Sequence, residues 1–128
     1  MKYDEASYLL KEIFNEVRES YPDIELDRYR DGGSIAFSIP PTEKYREIVL
    51  IAPVSNVYNK DHTKVEYREI NHVDIMVPGC IKFEDIYKKE NAMKVVMLTG
   101  IVGFQIDKEQ VKEDIKNALL NRLKINQK

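Results

Sequence analysis

Two runs of apolar residues without alternation constrain the fold of this chain more than any other feature of its sequence. Residues 46–52 read REIVLIA, and residues 94–99 read KVVMLT. Strict alternation marks a strand with one solvent-facing side, whereas a short continuous run is typical of a strand that is buried on both faces. The two runs therefore predict a sheet that is covered on both sides.

Amphipathic helices are predicted at both ends of the chain. Over residues 4–20, apolar side chains recur at the three- and four-residue spacing of one helix face. Asp4 is placed to cap the start of this helix, and Pro22 prevents its continuation. A second helix follows Asp107, which is expected to act as its N-cap, with Gln110 completing a capping box. The buried face of the second helix is predicted to contain Val111, Ile115, Ala118, Leu119 and Leu123.

The region between these helices has the pattern of antiparallel strands. Residues 23–41 predict a hairpin that reverses at the tripeptide DGG (residues 31–33), where glycine would supply positive φ angles. Residues 53–62 are predicted to form a loop. Alternating apolar residues then indicate strands around residues 65–67 and 73–77.

These segments together predict a single α+β domain over residues 1–128. We expect a mainly antiparallel β-sheet of five to six strands, flanked by N- and C-terminal amphipathic helices and by one short helix at residues 82–90. The composition, 43% hydrophobic and 33% charged, allows a buried core and a solvated surface. A single cysteine forms no internal disulfide, and no run approaches the roughly 20 apolar residues of a membrane span. The expected location is the cytoplasm, without membrane attachment.

Both histidines and the cysteine fall within residues 61–80. His62 and His72 are separated by ten positions, and Cys80 follows eight later, whereas structural zinc sites use close ligand pairs. His72 and Asp74 are expected to share a strand face, which supplies only half of a metal site. A His72–Cys80 nucleophilic dyad is the alternative, but free cysteine commonly fills an apolar core. We therefore predict no catalytic residues, no metal and no cofactor, and a structural role for this stretch.

Two features raise nucleic-acid binding as a further alternative. Residues 100–103 have the GxxG spacing of some RNA-clamping loops, but the two apolar residues between the glycines, together with Phe104, predict buried contacts. The formal net charge of −2 does not favour a nucleic-acid partner. After Asp114 every charged residue is basic, which is typical of a helix C-terminus. These basic residues are Lys116, Arg122, Lys124 and Lys128.

Tyrosine dominates the aromatic residues, with eight tyrosines against four phenylalanines and no tryptophan. Tyrosine is enriched in protein interfaces because it buries a large area at little entropic cost and carries a polar tip. We predict that Tyr29, Tyr45, Val57 and Tyr58 contact a protein partner.

The function favoured by these observations is a non-enzymatic intracellular protein-binding module, such as an inhibitor, an immunity protein, a chaperone or an assembly factor. A structural joining component of a larger assembly, such as a phage particle, is one alternative. A small enzyme or nucleic-acid binder using Cys80 and His72, or the basic C-terminal helix, is another. Because three helices cover both faces of such a sheet incompletely, we also expect a homodimer. A loop over residues 53–62 that folds across the sheet would instead leave a monomer.

Overall fold

The computed structural model describes residues 1–25, 28–31, 33–41, 43, 47–77, 93–100 and 103–125, with side chains described at all of them except 28–31 and 125. Two helices and six strands lie within these ranges. They are α1 (Tyr3–Ser20), β1 (Arg28–Asp31), β2 (Ser34–Ile39), β3 (Ile48–Tyr58), β4 (Val65–Ile70), β5 (His72–Met76), β6 (Met93–Met97) and α2 (Lys108–Ile125). The short helix predicted at residues 82–90 lies outside the described residues.

The strands form one antiparallel sheet in the order β1-β2-β3-β5-β6. The inner half of β3 lies between β2 and β5, with Ile51 opposite Ala36 on one side and Asp74 on the other. The outer half of β3, from Val54 to Tyr58, pairs with β4. A two-stranded extension therefore leaves the five-stranded sheet, and the predicted α+β fold class is confirmed.

Both helices pack on the same face of the sheet. The Phe14 ring of α1 stacks on the Phe37 ring of β2, with centroids 6.0 Å apart. Leu119 of α2 reaches the same interior region, next to Phe14 and Leu50 of β3. On this face alternate side chains of β3 are buried, while Val49 and Ile51 on the other face are half-buried. The hydrophobic core therefore lies in one layer between the sheet and the two helices.

The two helices confirm the predicted elements and correct their capping. α1 follows Lys2 at the N-cap position, and no side chain caps it, so Asp4 lies in the first turn instead. There its charge is favourable beside the unpaired amides of the helix start. Asp107 does cap α2, since its Oδ1 accepts from the amides of Glu109 at 3.1 Å and Gln110 at 3.3 Å. The Gln110 side chain donates to Asp114 at 3.0 Å, so it does not close the predicted capping box. All five side chains predicted for the buried face of α2 are buried.

The prediction that both apolar runs are buried on two faces is wrong. In β6 the exposed fraction is 44% for Val95 and 57% for Met97, while Val96 is buried. The physical reason is position, because β6 lies at the end of the strand order and both described helices pack on the opposite face. An apolar run in the sequence shows which side chains are apolar, but it does not show whether a second layer of the fold covers the strand.

Four local predictions also need correction. The loop predicted at residues 53–62 is a strand as far as Tyr58, because β3 continues through apolar and β-branched residues into the extension. Gly33, the last residue of the DGG reversal, lacks the predicted positive φ, whereas among the described glycines Gly103 has one, at 93°. Phe104 is 76% exposed and makes no buried contact of the kind predicted. β1 begins at Arg28, so Ile24 is buried before the hairpin rather than within it.

Candidate protein-binding surface

The two-stranded extension is the first candidate surface, and we call residues 54–69 the ribbon. Val57 lies opposite Tyr67, and Tyr58 lies opposite Val65, because the register shifts between residues 57 and 58. Because successive side chains of a strand point to opposite faces, the Val57–Tyr67 pair lies on one face near the end of the ribbon and the Tyr58–Val65 pair lies on the other. Side chains that lie directly opposite on antiparallel strands are close enough to form one contact surface.

The turn that closes the ribbon is held by the side chain of Asn59. Its Oδ1 accepts from the amides of Thr63 at 2.9 Å and Lys64 at 3.3 Å, and its Nδ2 donates to Thr63 Oγ1 at 2.9 Å. His62 adopts a φ of 55° within the turn, a left-handed conformation that is uncommon for a residue with a Cβ atom. These hydrogen bonds fix the position of the turn between β3 and β4. The position of the turn then sets which residues of the two strands lie opposite each other.

The four side chains at the end of the ribbon, Val57, Tyr58, Val65 and Tyr67, form what we call the ribbon cluster. Their exposed fractions are 48% for Tyr58, 47% for Val65 and 39% for Tyr67, and Val57 is half-buried. The Tyr58 ring also lies 6.1 Å from the ring of His62. Adjacent exposed aromatic and aliphatic side chains are the composition expected at the centre of a protein interface.

The structure places the predicted partner-binding residues unevenly. Val57 and Tyr58 lie together in the ribbon cluster. The backbone of Tyr29 belongs to β1, at the opposite edge of the sheet from β6, and Tyr45 lies outside the described residues. Sequence reasoning missed Tyr67 as a surface residue, because its alternation with Val65 indicated a strand with a buried face. The missing signal was the hairpin pairing, which sets Tyr67 opposite a residue already predicted to be exposed.

The base of the ribbon is attached to the N-terminal segment. The Tyr3 ring lies beneath the guanidinium of Arg68, with the Cζ atom 4.0 Å from the ring centroid. Lys2 pairs with Glu69 through the backbone, and its Nζ lies 5.2 Å from the Tyr67 ring. Cations above aromatic faces are attracted by the ring quadrupole. These contacts hold the base of the ribbon against α1, and Tyr67 keeps 39% of its surface exposed beside Lys2.

The second candidate surface lies along β6. A groove of about 770 Å³ separates β6 from α2, and residues 94–97 form one of its walls. The other wall carries polar side chains of α2. Arg122 in this wall is 2% exposed, and its burial lowers the pKa of the guanidinium because the charged form loses solvation. The polar side chains of this wall are Asp114, Asn117, Asn121 and Arg122.

The stretch from residue 61 to residue 80, which contains both histidines, shows one contact between a histidine and a carboxylate among its described residues. His72 and Asp74 share one face of β5, as their spacing predicted, with Nε2 and Oδ2 3.7 Å apart. Within the described ranges no three His, Cys, Asp or Glu side chains approach one another as a metal-binding group. Cys80 lies outside those ranges, so the predicted alternative of a His72–Cys80 dyad also lies outside the described residues. His62 lies in the ribbon turn, and the whole of β4 separates it from His72 along the chain.

The two lysines in the first half of α2 pair with carboxylates of α1. Lys108 pairs with Glu5 at 2.7 Å, and Lys112 pairs with Glu12 at 2.8 Å and with Glu16 at 3.2 Å. The hydrogen bond that Lys112 donates to the Glu12 carboxylate, with a second to Glu16, raises the pKa of Lys112 above its ordinary value. These pairs connect the two helices, so the first half of α2 directs its positive charge toward α1.

Comparisons of the chain with protein-family models, with curated proteins and with solved structures find no match. Neither α1 nor α2, the two helices within the described ranges, combines the length and apolar composition that a membrane crossing requires.

Proposed function

We propose that this chain is a non-enzymatic protein-binding module and that the ribbon cluster contacts its partner. The observation that carries the proposal is the pairing of Val57 with Tyr67 and of Tyr58 with Val65 on adjacent exposed strands. Two tyrosines and two valines in consecutive cross-strand pairs supply both apolar area and phenolic hydroxyl groups. Interface hot spots have this composition, since tyrosine combines a large contact area with a hydrogen-bonding tip.

The geometry of the ribbon supports binding through a protruding element. Its turn is closed by Asn59, and its base is held by the Arg68–Tyr3 contact, so the cluster is presented on a preorganised hairpin. A preorganised binding element loses less conformational entropy on association than a flexible loop does. Inhibitors, immunity proteins, chaperones and assembly factors of cytoplasmic type all fit this mode of action, and we extend the proposal to that class and location.

Quantitative affinity capture from the source cells tests the proposal. The tagged chain is compared with a Tyr58→Thr/Tyr67→Thr variant, in which threonine preserves the strand preference while removing both rings. The matched control is Tyr8→Gln, since Tyr8 is a 72% exposed tyrosine on α1, away from the ribbon. We expect a protein retained by the unaltered chain and by the control, and lost from the double variant. Equal capture by all three chains would overturn the ribbon assignment.

We further propose that the chain is a homodimer. The support is the apolar side chain pair Val95 and Met97, exposed at 44% and 57% on the edge strand β6. Exposed apolar edge strands are prone to pair with another chain, and natural proteins usually shield them. Light scattering at micromolar concentration tests this part of the proposal through the molecular mass, with twice the 15.0 kDa chain mass as the expected value.

A further inference from the structure

β6 lies at one end of the described strand order, and its outer side opens into the groove beside α2. Among the described strands it pairs with β5 alone. Four consecutive residues, 94 to 97, line the groove. Successive side chains of a strand point to opposite faces, so a groove that reaches all four runs along the edge of the strand. The groove therefore gives access to the backbone of β6.

The outward backbone groups of β6 belong to Met93, Val95 and Met97. The amide of Leu98 donates to the carbonyl oxygen of Asn71 at 2.8 Å, on the β5 side. Hydrogen-bonded and non-hydrogen-bonded pairs alternate along an antiparallel ladder. The even-numbered residues of β6 therefore bond to β5, and the odd-numbered residues direct their N–H and C=O groups toward the free edge.

The same three residues share the sheet face that lies opposite the two helices. Val95 lies beside Asp74, and Met97 lies beside His72, in the β5–β6 register. The order methionine, valine, methionine at alternate positions reads the same in both directions. A two-fold axis at Val95 would set Val95 against its own copy, and Met93 against Met97 of a second chain. An isologous interface requires this self-complementarity.

Polar side chains of α2 form the wall of the groove that faces β6. Asp114 lies at one end of the wall and Arg122 at the other, with the amides of Asn117 and Asn121 between them. A two-fold axis beside Val95 sets the two α2 helices antiparallel across the dimer. Strands pair at about 4.8 Å and helices pack at about 8–10 Å, so helices above two paired edge strands can approach contact distance.

We propose that two copies of this chain join by antiparallel pairing of their β6 strands around Val95, which produces one continuous sheet across the dimer. This inference rests on the homodimer of the proposed function and specifies its contact. The outward amides and carbonyls of Met93, Val95 and Met97 then pair with those of the second copy. The partner is a second copy rather than another protein because the Met93, Val95, Met97 order along the outward edge is self-complementary.

Substitution at Val95 tests the pairing through the mass in solution. Val95→Pro removes an outward N–H while leaving the bonds to β5, and proline is tolerated at such edge positions. Val95→Thr is the matched control, since threonine keeps both the N–H and the β-branched shape. We expect the unaltered chain and Val95→Thr to have twice the 15.0 kDa chain mass, and Val95→Pro to have the mass of one chain. Circular dichroism of Val95→Pro, compared with the unaltered chain, separates loss of association from loss of fold.

Cysteine cross-linking tests the register without relying on loss of association. In a Cys80→Ser background, Val95→Cys places two thiols directly opposite at the two-fold axis. Residues of a hydrogen-bonded antiparallel pair have Cα atoms about 5.5 Å apart, within the usual disulfide range of about 4.4–6.8 Å. We expect rapid formation of a disulfide-linked dimer from Val95→Cys. Lys94→Cys, the control, faces the α2 side and lies opposite residue 96 of the second copy, so it should not cross-link.

The outcomes separate this inference from the proposals on which it rests. A dimer that survives Val95→Pro and does not cross-link through Val95→Cys would overturn the β6 contact while leaving a homodimer. A single-chain mass at every concentration would overturn both. If Val95→Pro instead abolished capture of another protein by a monomeric chain, β6 would pair with a strand of that partner, which also contradicts pairing between two copies. Ribbon binding is judged separately, by the capture of proteins with the Tyr58 and Tyr67 variant.

Discussion

Replacement of Tyr3 by phenylalanine is expected to stabilise the protein. Tyr3 is 6% exposed, and its hydroxyl is buried without a hydrogen-bond partner among the described residues. A buried polar group left unsatisfied costs about 1–3 kcal/mol, and Tyr3→Phe removes that group while keeping the ring. The contact of the ring with the Arg68 guanidinium, at 4.0 Å, is preserved because phenylalanine also presents a π face. We therefore expect the free energy of unfolding to rise by at least about 1 kcal/mol.

Urea denaturation followed by circular dichroism measures this change. All samples are compared at one protein concentration, because self-association makes apparent stability depend on concentration. The control is Tyr8→Phe, since Tyr8 is 72% exposed and its hydroxyl is solvated in both states. We expect no change for this control, and a rise in the thermal midpoint of about 4 °C per kcal/mol for Tyr3→Phe. Destabilisation of Tyr3→Phe with Tyr8→Phe unchanged would show that the Tyr3 hydroxyl makes a bond that stabilises the fold.

Three further predictions concern charge and metal. Lys112→Met should lower the thermal midpoint by a constant amount from neutral pH up to the ordinary lysine pKa of 10.5. Glu12 raises the pKa of Lys112 in the folded protein, so the stabilisation is lost only as the pH rises beyond 10.5. In a series of thermal melts, a difference between the two proteins that already shrinks near neutral pH would contradict this prediction. Purified protein should contain no stoichiometric zinc by metal analysis, and His72→Ala should change the unfolding free energy by less than about 0.5 kcal/mol. Mixed RNA or DNA should show no binding near physiological salt by fluorescence anisotropy, whereas micromolar binding that weakens steeply with salt would restore the nucleic-acid alternative.

Local patterns in the sequence were sufficient to predict the elements that pack on the core. The three- and four-residue spacing predicted α1, and it also predicted the buried apolar side chains of α2, because helix burial depends on neighbours within a few turns. The burial of Arg122 in α2 was not predicted. Alternation predicted β2 and β5 for the same reason, since each of them has one face on the helices. Capping was less predictable. Asp4 and Gln110 have the residue types of caps, but each competes with other hydrogen bonds and charge contacts in the first turn.

The arrangement of the surface could not be predicted from the same patterns. Val95 and Met97 carry the apolar chemistry of a buried strand, and their exposure follows from the edge position of β6, which depends on strand order. The ribbon cluster depends on a register between β3 and β4 that includes an irregularity at residues 57 and 58. Register is set by pairing across the hairpin and leaves little trace in either strand alone. Val57 and Tyr58 were therefore predicted as contact residues, while Tyr67, opposite Val57, was not.

Hydrogen–deuterium exchange on the chain with and without its captured partner tests most directly whether the ribbon is the binding surface. Backbone amides exchange slowly when a bound protein excludes solvent or suppresses local opening. We expect added protection in residues 54–58 and 65–69, with the amides of α1 near Tyr8 unchanged. Protection confined to α1, or equal protection along the whole chain, would contradict binding through the ribbon cluster.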